Sequence, residues 1–170
     1  MKQAPELSLA SHWLHGVNLP SRLAVGFSGG ADSTALLLAL AGAGHQVVAW
    51  HVDHGWSDHS AALAGSLRAR SAAWGIEYHS TRVNPCTEKN REAEARRARF
   101  DLFAAWGEAQ GIDTLCLAQQ RNDQAETVCM RLLQGAGVAG CCAMRAERHW
   151  RGLNIVRPLL HIERDELEAG

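Results

Sequence analysis

Short apolar runs alternate along the chain with longer segments of helical character. Residues 22–27 have the composition of a buried strand, residues 46–51 form a second apolar run, and residues 76–83 alternate like a strand; further strands are predicted at 114–118 and 154–156. Segments with helical periodicity or many helix-forming residues occur at residues 34–43, 59–74, 90–110, 123–134 and from 163 onward. Alternation of strands and helices, with crossovers of this length, is typical of βα units with parallel strands.

We therefore predict an α/β fold with a doubly wound, Rossmann-like sheet of five parallel strands in the order 3-2-1-4-5. A short amphipathic helix is predicted before the sheet, around residues 7–14. Ligands of such sheets bind at the carboxyl ends of the strands, near the point where the strand order reverses. Three polar turns, at 28–34, 53–59 and 118–124, fall at that edge. We expect the functional site to be built from them.

The turn after the first apolar run is rich in glycine and in small polar residues. It consists of Ser28, Gly29, Gly30, Ala31, Asp32 and Ser33. Glycines allow backbone N–H groups to converge on an anion, and the following helix adds its unpaired amides and positive end. The hydroxyls add donors, and Asp32 offers a carboxylate that could hold Mg²⁺ beside a phosphate. The turn therefore predicts a nucleotide site; the alternative is a turn capped by Asp32 or Ser33 without a ligand.

Two common phosphate-binding signatures are absent from this turn. It contains no Gly-Lys-Ser/Thr, which argues against a P-loop NTPase. It also lacks Gly-x-Gly-x-x-Gly, which argues against a dinucleotide site. Each of these signatures has a fixed spacing of glycines before the helix that binds phosphate. The turn has neither spacing, so the predicted site belongs to a different kind of loop.

Further polar residues are predicted at the same edge of the sheet. His51, Asp53 and His54 follow the second apolar run, where we expect contacts to adenine or ribose. Metal ligation is the alternative, but no second cluster of ligands accompanies these residues. Asp123 opens the helix after the fourth run, so it is either a structural cap or a second metal or nucleotide contact beside Asp32.

The segment 90–110 is dense in charges of both signs. Arg96 and Arg99 lie three residues apart on one face of the predicted helix, a spacing that allows both to bind phosphate. Glu92 precedes Arg96 by four residues, so a helix face covered by ion pairs is an equal alternative. With Arg82 nearby, this region is the most basic of the chain and a predicted RNA-facing patch.

Composition indicates one ordinary soluble domain. The 170 residues are 46% hydrophobic and 21% charged, with a formal net charge of −1, so any RNA contact must use a local patch or a further domain. The five cysteines include no C-x-x-C pair, which indicates apolar residues in a reducing compartment. No signal peptide or membrane-spanning run is present, so we expect a cytoplasmic protein. The helical pattern stops at residue 170, so we expect one domain of a longer protein.

Several motifs of the chain resemble one known family when they are taken together. They are Ser28-Gly29-Gly30-Ala31-Asp32-Ser33, His51-Val52-Asp53-His54-Gly55, Glu92-x-x-Ala95-Arg96-x-x-Arg99-Phe100, Asn122-Asp123-Gln124-Ala125-Glu126-Thr127, Gly135-x-Gly137 with Gly140, and Arg157-Pro158-Leu159-Leu160. The combination resembles the tRNA(Ile)-lysidine synthetases, whose amino-terminal domain is a PP-loop domain of the adenine nucleotide alpha hydrolase type. This family usually has His-His and Asp where Gln119, Gln120 and Asn122 stand here.

The resemblance implies a ligase that uses ATP and Mg²⁺. Such an enzyme adenylates the wobble cytidine of a tRNA(Ile) anticodon and joins free lysine to C2, and its longer members carry carboxy-terminal tRNA-binding domains. On this basis Asp32, Asp123 and Arg96 are the predicted catalytic residues, with both aspartates holding the metal. The nucleotide is predicted to contact the turn from Ser28 to Ser33 together with His51, Asp53 and His54.

Two alternatives remain open at this stage. Another PP-loop enzyme, such as a tRNA thiolase or an amidotransferase-type synthetase, would share the glycine turn, although thiolases of this kind commonly use paired cysteines. A nucleotide-binding module without catalysis is the alternative that Gln119, Gln120 and Asn122 suggest.

Overall fold

The computed structural model describes residues 13–14, 16–53, 60–83, 91–135 and 142–168. Its strands are β1 (Arg22–Gly26), β2 (Gln46–Asp53), β3 (Glu77–Arg82), β4 (Thr114–Cys116), β5 (Glu147–Trp150) and β6 (Leu153–Val156). Its helices are α1 (Ala31–Gly42), α2 (Ser60–Ala73), α3 (Arg91–Gln110), α4 (Arg121–Leu133) and α5 (Arg164–Glu168). Most of the helix predicted around residues 7–14 lies outside the described residues.

The described strands form one sheet in the order β3-β2-β1-β4-β6-β5. β1 pairs in parallel with β2 and β4, β2 with β3, and β4 with β6. These five strands have the predicted order, with β6 in the place of the fifth. The prediction of an all-parallel, five-stranded sheet was wrong at one edge, where β5 pairs antiparallel with β6. β5 is short, polar and mostly exposed, so it gives no apolar signal in the sequence.

The two faces of the sheet are covered by different helices. On one face, α1, α2 and α5 enclose a core that includes Leu23, Leu37 and Leu67. On the other face, α3 packs its Phe103 ring on Trp50, with 5.7 Å between the ring centroids. Strands covered on both faces are mainly apolar, which explains the apolar runs of β1 and β2, whereas β3 at the sheet edge is polar and only partly buried. Polar groups therefore collect at the carboxyl edge of the strands, between the helix layers.

α4 differs from the helices that cover the sheet. It begins at Arg121, two residues before its predicted start, and none of its residues is buried. Met130, Leu132 and Leu133 are exposed at its carboxyl end. Across the described segments, no helix combines the length and apolarity needed to cross a membrane.

Candidate nucleotide site

A cavity of about 650 Å³ opens at the carboxyl ends of β1, β2 and β4. Its wall is formed by the turn between β1 and α1, the end of β2, part of α3, and the starts of α4 and α5. The predicted site residues that line it are Ser28, Gly30, Ala31, Asp32, Ser33, His51 and Asp123. The volume suits a small-molecule ligand, and the position is the reversal point of the strand order.

The amino terminus of α1 faces this cavity without a side-chain cap. Gly30 is the N-cap residue, and no side chain accepts a hydrogen bond from the first amides of the helix. The alternative interpretation of this turn, a cap formed by Asp32 or Ser33, is therefore not observed. Unpaired N–H groups at a helix start form an anion-binding position, because they add donors to the positive end of the helix dipole.

The hydroxyl groups of the turn bond to one another and to the backbone. Ser33 Oγ donates to the Gly30 carbonyl at 3.1 Å, and Thr34 Oγ1 donates to the same oxygen at 2.9 Å. Ser28 Oγ lies 3.1 Å from Ser33 Oγ and accepts from the Gly30 amide at 3.4 Å. The hydroxyls thus hold the shape of the turn, and the backbone amides of α1 are the donors left for a ligand.

Two adjacent glycines contribute to the turn for different reasons. Gly29 has a φ of +88°, and a Cβ there would lie 2.6 Å from Leu67 Cδ2, so the fold itself requires glycine. Gly29 does not line the cavity. Gly30 has a φ of −70°, which any residue adopts, and a Cβ there would meet only Ser28 Oγ at 3.7 Å. Glycine at position 30 therefore leaves open a space at the cavity wall that the fold does not need.

Asp32 and Asp123 both line the cavity. Asp32 Oδ2 lies 3.9 Å from a guanidinium nitrogen of Arg164, the first residue of α5. Asp123 Oδ2 accepts a hydrogen bond of 2.8 Å from the backbone amide of Gln120. Asp123 is therefore not the cap residue of α4: Gln120 is, and its side chain accepts from the Asn122 amide at 2.8 Å.

The carboxylates fit a Mg²⁺ ion that a nucleotide brings with it. Mg²⁺ is usually held by one or two protein carboxylates together with phosphate oxygens and water. Asp32 and Asp123 supply that number in one cavity. Within the described segments, no group of three or more His, Cys, Asp or Glu side chains forms a metal cage. The donor set therefore suits a metal shared with a phosphate chain.

The polar residues at the end of β2 separate into two places. His51 lines the cavity, and its Nδ1 donates to the Phe27 carbonyl at 2.9 Å, since a carbonyl can only accept. Its Nε2 is then the acceptor of the neutral ring. Asp53 instead faces a second cavity of about 560 Å³, where its carboxylate lies 3.9 Å from Arg82. His54 lies outside the described residues.

Of the two arginines predicted on one face of α3, Arg99 lines the cavity and Arg96 does not. Arg96 is exposed, and Arg99 is partly buried. Burial and the nearby charge of Arg96 lower the pKa of Arg99. The sequence predicts a phosphate contact for both arginines and a catalytic role for Arg96. In the structure, Arg99 is the one that lines the cavity.

Two further cavity residues were missed as site residues. Arg164 begins α5, and Gln119 accepts a 2.9 Å hydrogen bond from Nε of the buried Arg157. The Arg157-Pro158-Leu159-Leu160 motif was the available signal, because it fixes the connection that brings α5 to the cavity. Arg164 itself stands alone in the sequence, and only the packing of α5 against α1 shows where its side chain lies.

The open start of α1, two carboxylates and a cavity at the strand-order reversal lie together at the glycine turn of an α/β domain. The chain belongs to the PP-loop domain family, because the sequence model of that family matches residues 8–170. It is similar to the tRNA(Ile)-lysidine synthase of Chlamydia felis, with 40% identity over 79% of this chain and 43% of the relative. The tRNA(Ile)-lysidine synthase of Ruegeria pomeroyi is 41% identical over 87% of this chain and 36% of the relative. The chain thus spans less than half the length of these relatives.

A solved structure confirms the fold class. The U34-tRNA thiolase NcsA from Methanococcus maripaludis superposes with a TM-score of 0.69 over 87% of this chain and 54% of that protein. The sequence identity is 19%, so the likeness concerns the fold alone.

Proposed function

We propose that this chain is the catalytic part of a tRNA(Ile)-lysidine synthetase. The cavity would bind ATP, and the substrates would be free lysine and a tRNA(Ile) whose anticodon carries cytidine at the wobble position. The observation that carries the proposal is the uncapped start of α1 beside two carboxylates. The names and the 40–41% identity of the two curated relatives support the choice of reaction within the family.

The reaction proceeds in two steps. First, O2 of the cytidine attacks the α-phosphorus of ATP, and the bond from that phosphorus to the β-phosphate oxygen breaks, which releases pyrophosphate. Second, the lysine amine attacks C2 of the adenylated base, and the C2–O2 bond breaks. AMP leaves with that oxygen, and the attached nitrogen loses one proton to solvent and keeps the other.

The residues of the cavity serve this chemistry by charge and position. The amides at the start of α1 hold the phosphates that leave as pyrophosphate, and Arg99 and Arg164 offset their negative charge. Asp32 and Asp123 would hold Mg²⁺, which neutralises charge on the phosphate oxygens. Asp32 is within 3.9 Å of Arg164, so binding of a phosphate chain would compete with that ion pair.

Pyrophosphate release tests the proposal. The chain is incubated with ATP, Mg²⁺, lysine and an anticodon stem-loop RNA with cytidine at the wobble position. We expect pyrophosphate release that requires the cytidine and disappears with a uridine in its place. Asp32→Asn keeps the shape of the side chain and is expected to reduce release at least about 100-fold, because one charge at the metal position is lost.

The alternatives give different results in the same assay. A non-catalytic module would bind ATP without releasing pyrophosphate under any condition. A thiolase would release pyrophosphate with a uridine-containing RNA, and among the described cysteines only Cys116, Cys129 and Cys142 could take part. Pyrophosphate release that does not depend on the wobble base would contradict our choice of substrate.

Location in the cytoplasm stays a prediction from the cysteines.

A further inference from the structure

Three arginines surround one aromatic ring between α3 and β5. The guanidinium carbons of Arg96, Arg99 and Arg148 lie 6.0, 5.5 and 6.0 Å from the centroid of the Phe100 ring. Arg148 also lies 4.8 Å from the centroid of the Trp150 ring, which is itself 6.0 Å from Phe100. We call these five residues the arginine–aromatic surface.

The charges of these three arginines are not neutralised by the described part of the chain. None of the three forms an ion pair with a carboxylate whose side chain the structure describes, a set that does not include Glu92, although two of their neighbours do. Arg97 lies 3.9 Å and Arg151 3.1 Å from the carboxylate of Asp101. Asp101 also accepts from Trp150 Nε1 at 3.0 Å. Among the described side chains, the arginines at the border of this region have an acidic partner in Asp101, whereas the three arginines at the Phe100 ring have none.

The crowding of positive charge extends to a buried neighbour. Burial and the charges of Arg96 and Arg148 lower the pKa of Arg157. Like charges brought together without an acid raise the free energy of the unliganded protein. An anion bound among them would relieve that repulsion.

Aromatic contacts leave these arginines free to bind phosphate. A guanidinium that stacks on a ring is positioned by its flat face, and its N–H groups point outward along its edge. Those N–H groups match the oxygens of a phosphate in pairs. The contacts with the rings of Phe100 and Trp150 use none of the hydrogen-bond donors of the guanidinium groups.

β5 is the element that completes this surface. It is the antiparallel edge strand beyond β6, and Glu147, Arg148 and His149 on it are exposed. Arg148 extends from β5 to the Phe100 ring of α3, although the two residues are 48 positions apart in sequence.

The surface continues the positive charge of the cavity outward. Arg99 lines the cavity, whereas Arg96 and Arg148 do not. A mononucleotide in the cavity would contact Arg99 and leave the other two arginines unused. A chain of phosphates that runs out of the cavity could contact all three guanidinium groups.

We propose that the arginine–aromatic surface binds the phosphodiester backbone of a single-stranded RNA segment whose target base enters the cavity. This inference rests on the proposed function, because it names the surface by which the RNA substrate reaches that site. An acidic peptide could also pair with arginines, but the reaction proposed for the adjoining cavity needs an RNA segment at this place.

Fluorescence anisotropy with a labelled anticodon stem-loop RNA tests the surface. Binding to the 170-residue chain is measured without ATP between about 50 and 200 mM salt. The variants are Arg96→Ala and Arg148→Ala, each removing one exposed guanidinium. Circular dichroism confirms that each variant is folded. Arg148→Glu is a stronger change at the same position, because it reverses the charge.

The matched control is Arg68→Ala, which removes an exposed arginine of α2 on the opposite face of the sheet. Its guanidinium carbon lies 5.8 Å from the centroid of the Tyr78 ring, so the control also removes an arginine from an aromatic contact. It differs from the two test variants in its position on the molecule.

We expect Arg96→Ala and Arg148→Ala each to weaken RNA binding about tenfold and to lower the slope of log affinity against log salt by about 0.7. Arg148→Glu should weaken binding further, and Arg68→Ala should leave both quantities unchanged. Unchanged affinity and slope in the Arg96 and Arg148 variants would overturn the proposal. Absence of salt-dependent RNA binding by the unaltered chain, or equal binding of a poly-glutamate peptide, would overturn it as well.

ATP binding separates this proposal from the proposed function. Calorimetry with ATP is run on the same variants. Normal ATP binding and wobble-dependent pyrophosphate release, together with RNA affinity that Arg148→Ala does not change, would refute the surface alone. If the unaltered chain releases no pyrophosphate but its RNA binding depends on Arg148, the proposed reaction is refuted and the RNA-binding surface is supported.

Discussion

At the scale of single residues, the two glycines of the turn allow structure and binding to be separated. Gly29→Ala introduces a side chain at a φ of +88° and 2.6 Å from a buried leucine, so we expect a loss of about 1–3 kcal/mol in the free energy of unfolding. Gly30→Ala meets no such strain, and we expect a loss of about 1 kcal/mol or less from the weaker N-cap.

ATP affinity should respond to Gly30→Ala more than stability does. The added methyl group occupies the space at the cavity wall beside the first amides of α1, so we expect ATP to bind at least about tenfold more weakly. Calorimetry and urea unfolding of the two variants make the comparison. A Gly30→Ala protein with normal ATP affinity would show that the phosphates lie elsewhere.

Among the helices, α1 and α4 begin at the same edge of the sheet, but their amino termini are capped differently. α4 has a complete capping box, in which Gln120 accepts from the Asn122 amide and Asp123 accepts from the Gln120 amide. α1 has no side-chain cap. The helix that keeps its amides unpaired is the one that the glycine turn places in the cavity.

The cap of α4 gives a prediction about local stability. Gln120 is fully buried, and Gln120→Ala removes its hydrogen bond to the start of the helix, so we expect a cost of about 1–2 kcal/mol. Hydrogen exchange of the first amides of α4 measures it, with Asn122→Ala as an exposed control. Unchanged protection in Gln120→Ala would mean that the capping box does not hold this helix end.

The parallel strands and the glycine turn were predictable because their signals are local. Continuous apolar runs mark strands buried on both faces, and Gly29 and Gly30 interrupt the chain where α1 begins. β5 was not predictable, since its residues face solvent and show no alternation. The start of α4 was misread because Gln120 is an uncommon N-cap residue, and the position of Arg164 depends on tertiary packing alone.

At the scale of the whole molecule, the buried Cys116 links folding to pH. Burial raises the pKa of its thiol from 9.0 to about 12, so the folded state keeps the proton that the unfolded state loses. This contribution to stability is fully present below pH 9 and is lost as the pH rises toward 12. We expect the difference in unfolding free energy between the unaltered chain and Cys116→Ala to shrink across that range.

Thiol labelling provides an independent check of the same burial. At pH 8, Cys129 and Cys142 are exposed and should react rapidly with an alkylating reagent, whereas Cys116 should react only after the protein opens. Mass spectrometry identifies the labelled positions. Rapid labelling of Cys116 in the folded protein, or a Cys116→Ala difference that does not change with pH, would contradict the placement of β4 in the core.

In the proposed site, the amides at the start of α1 hold the phosphate chain of ATP, and the proposed reaction depends on this contact. Competition calorimetry on the 170-residue chain tests it most directly, with ATP, pyrophosphate and NAD as ligands in the presence of Mg²⁺. We predict that ATP binds, that pyrophosphate competes with it because both use the same amides, and that NAD binds more weakly than ATP. ATP binding that pyrophosphate does not affect, or NAD binding tighter than ATP, would contradict the account.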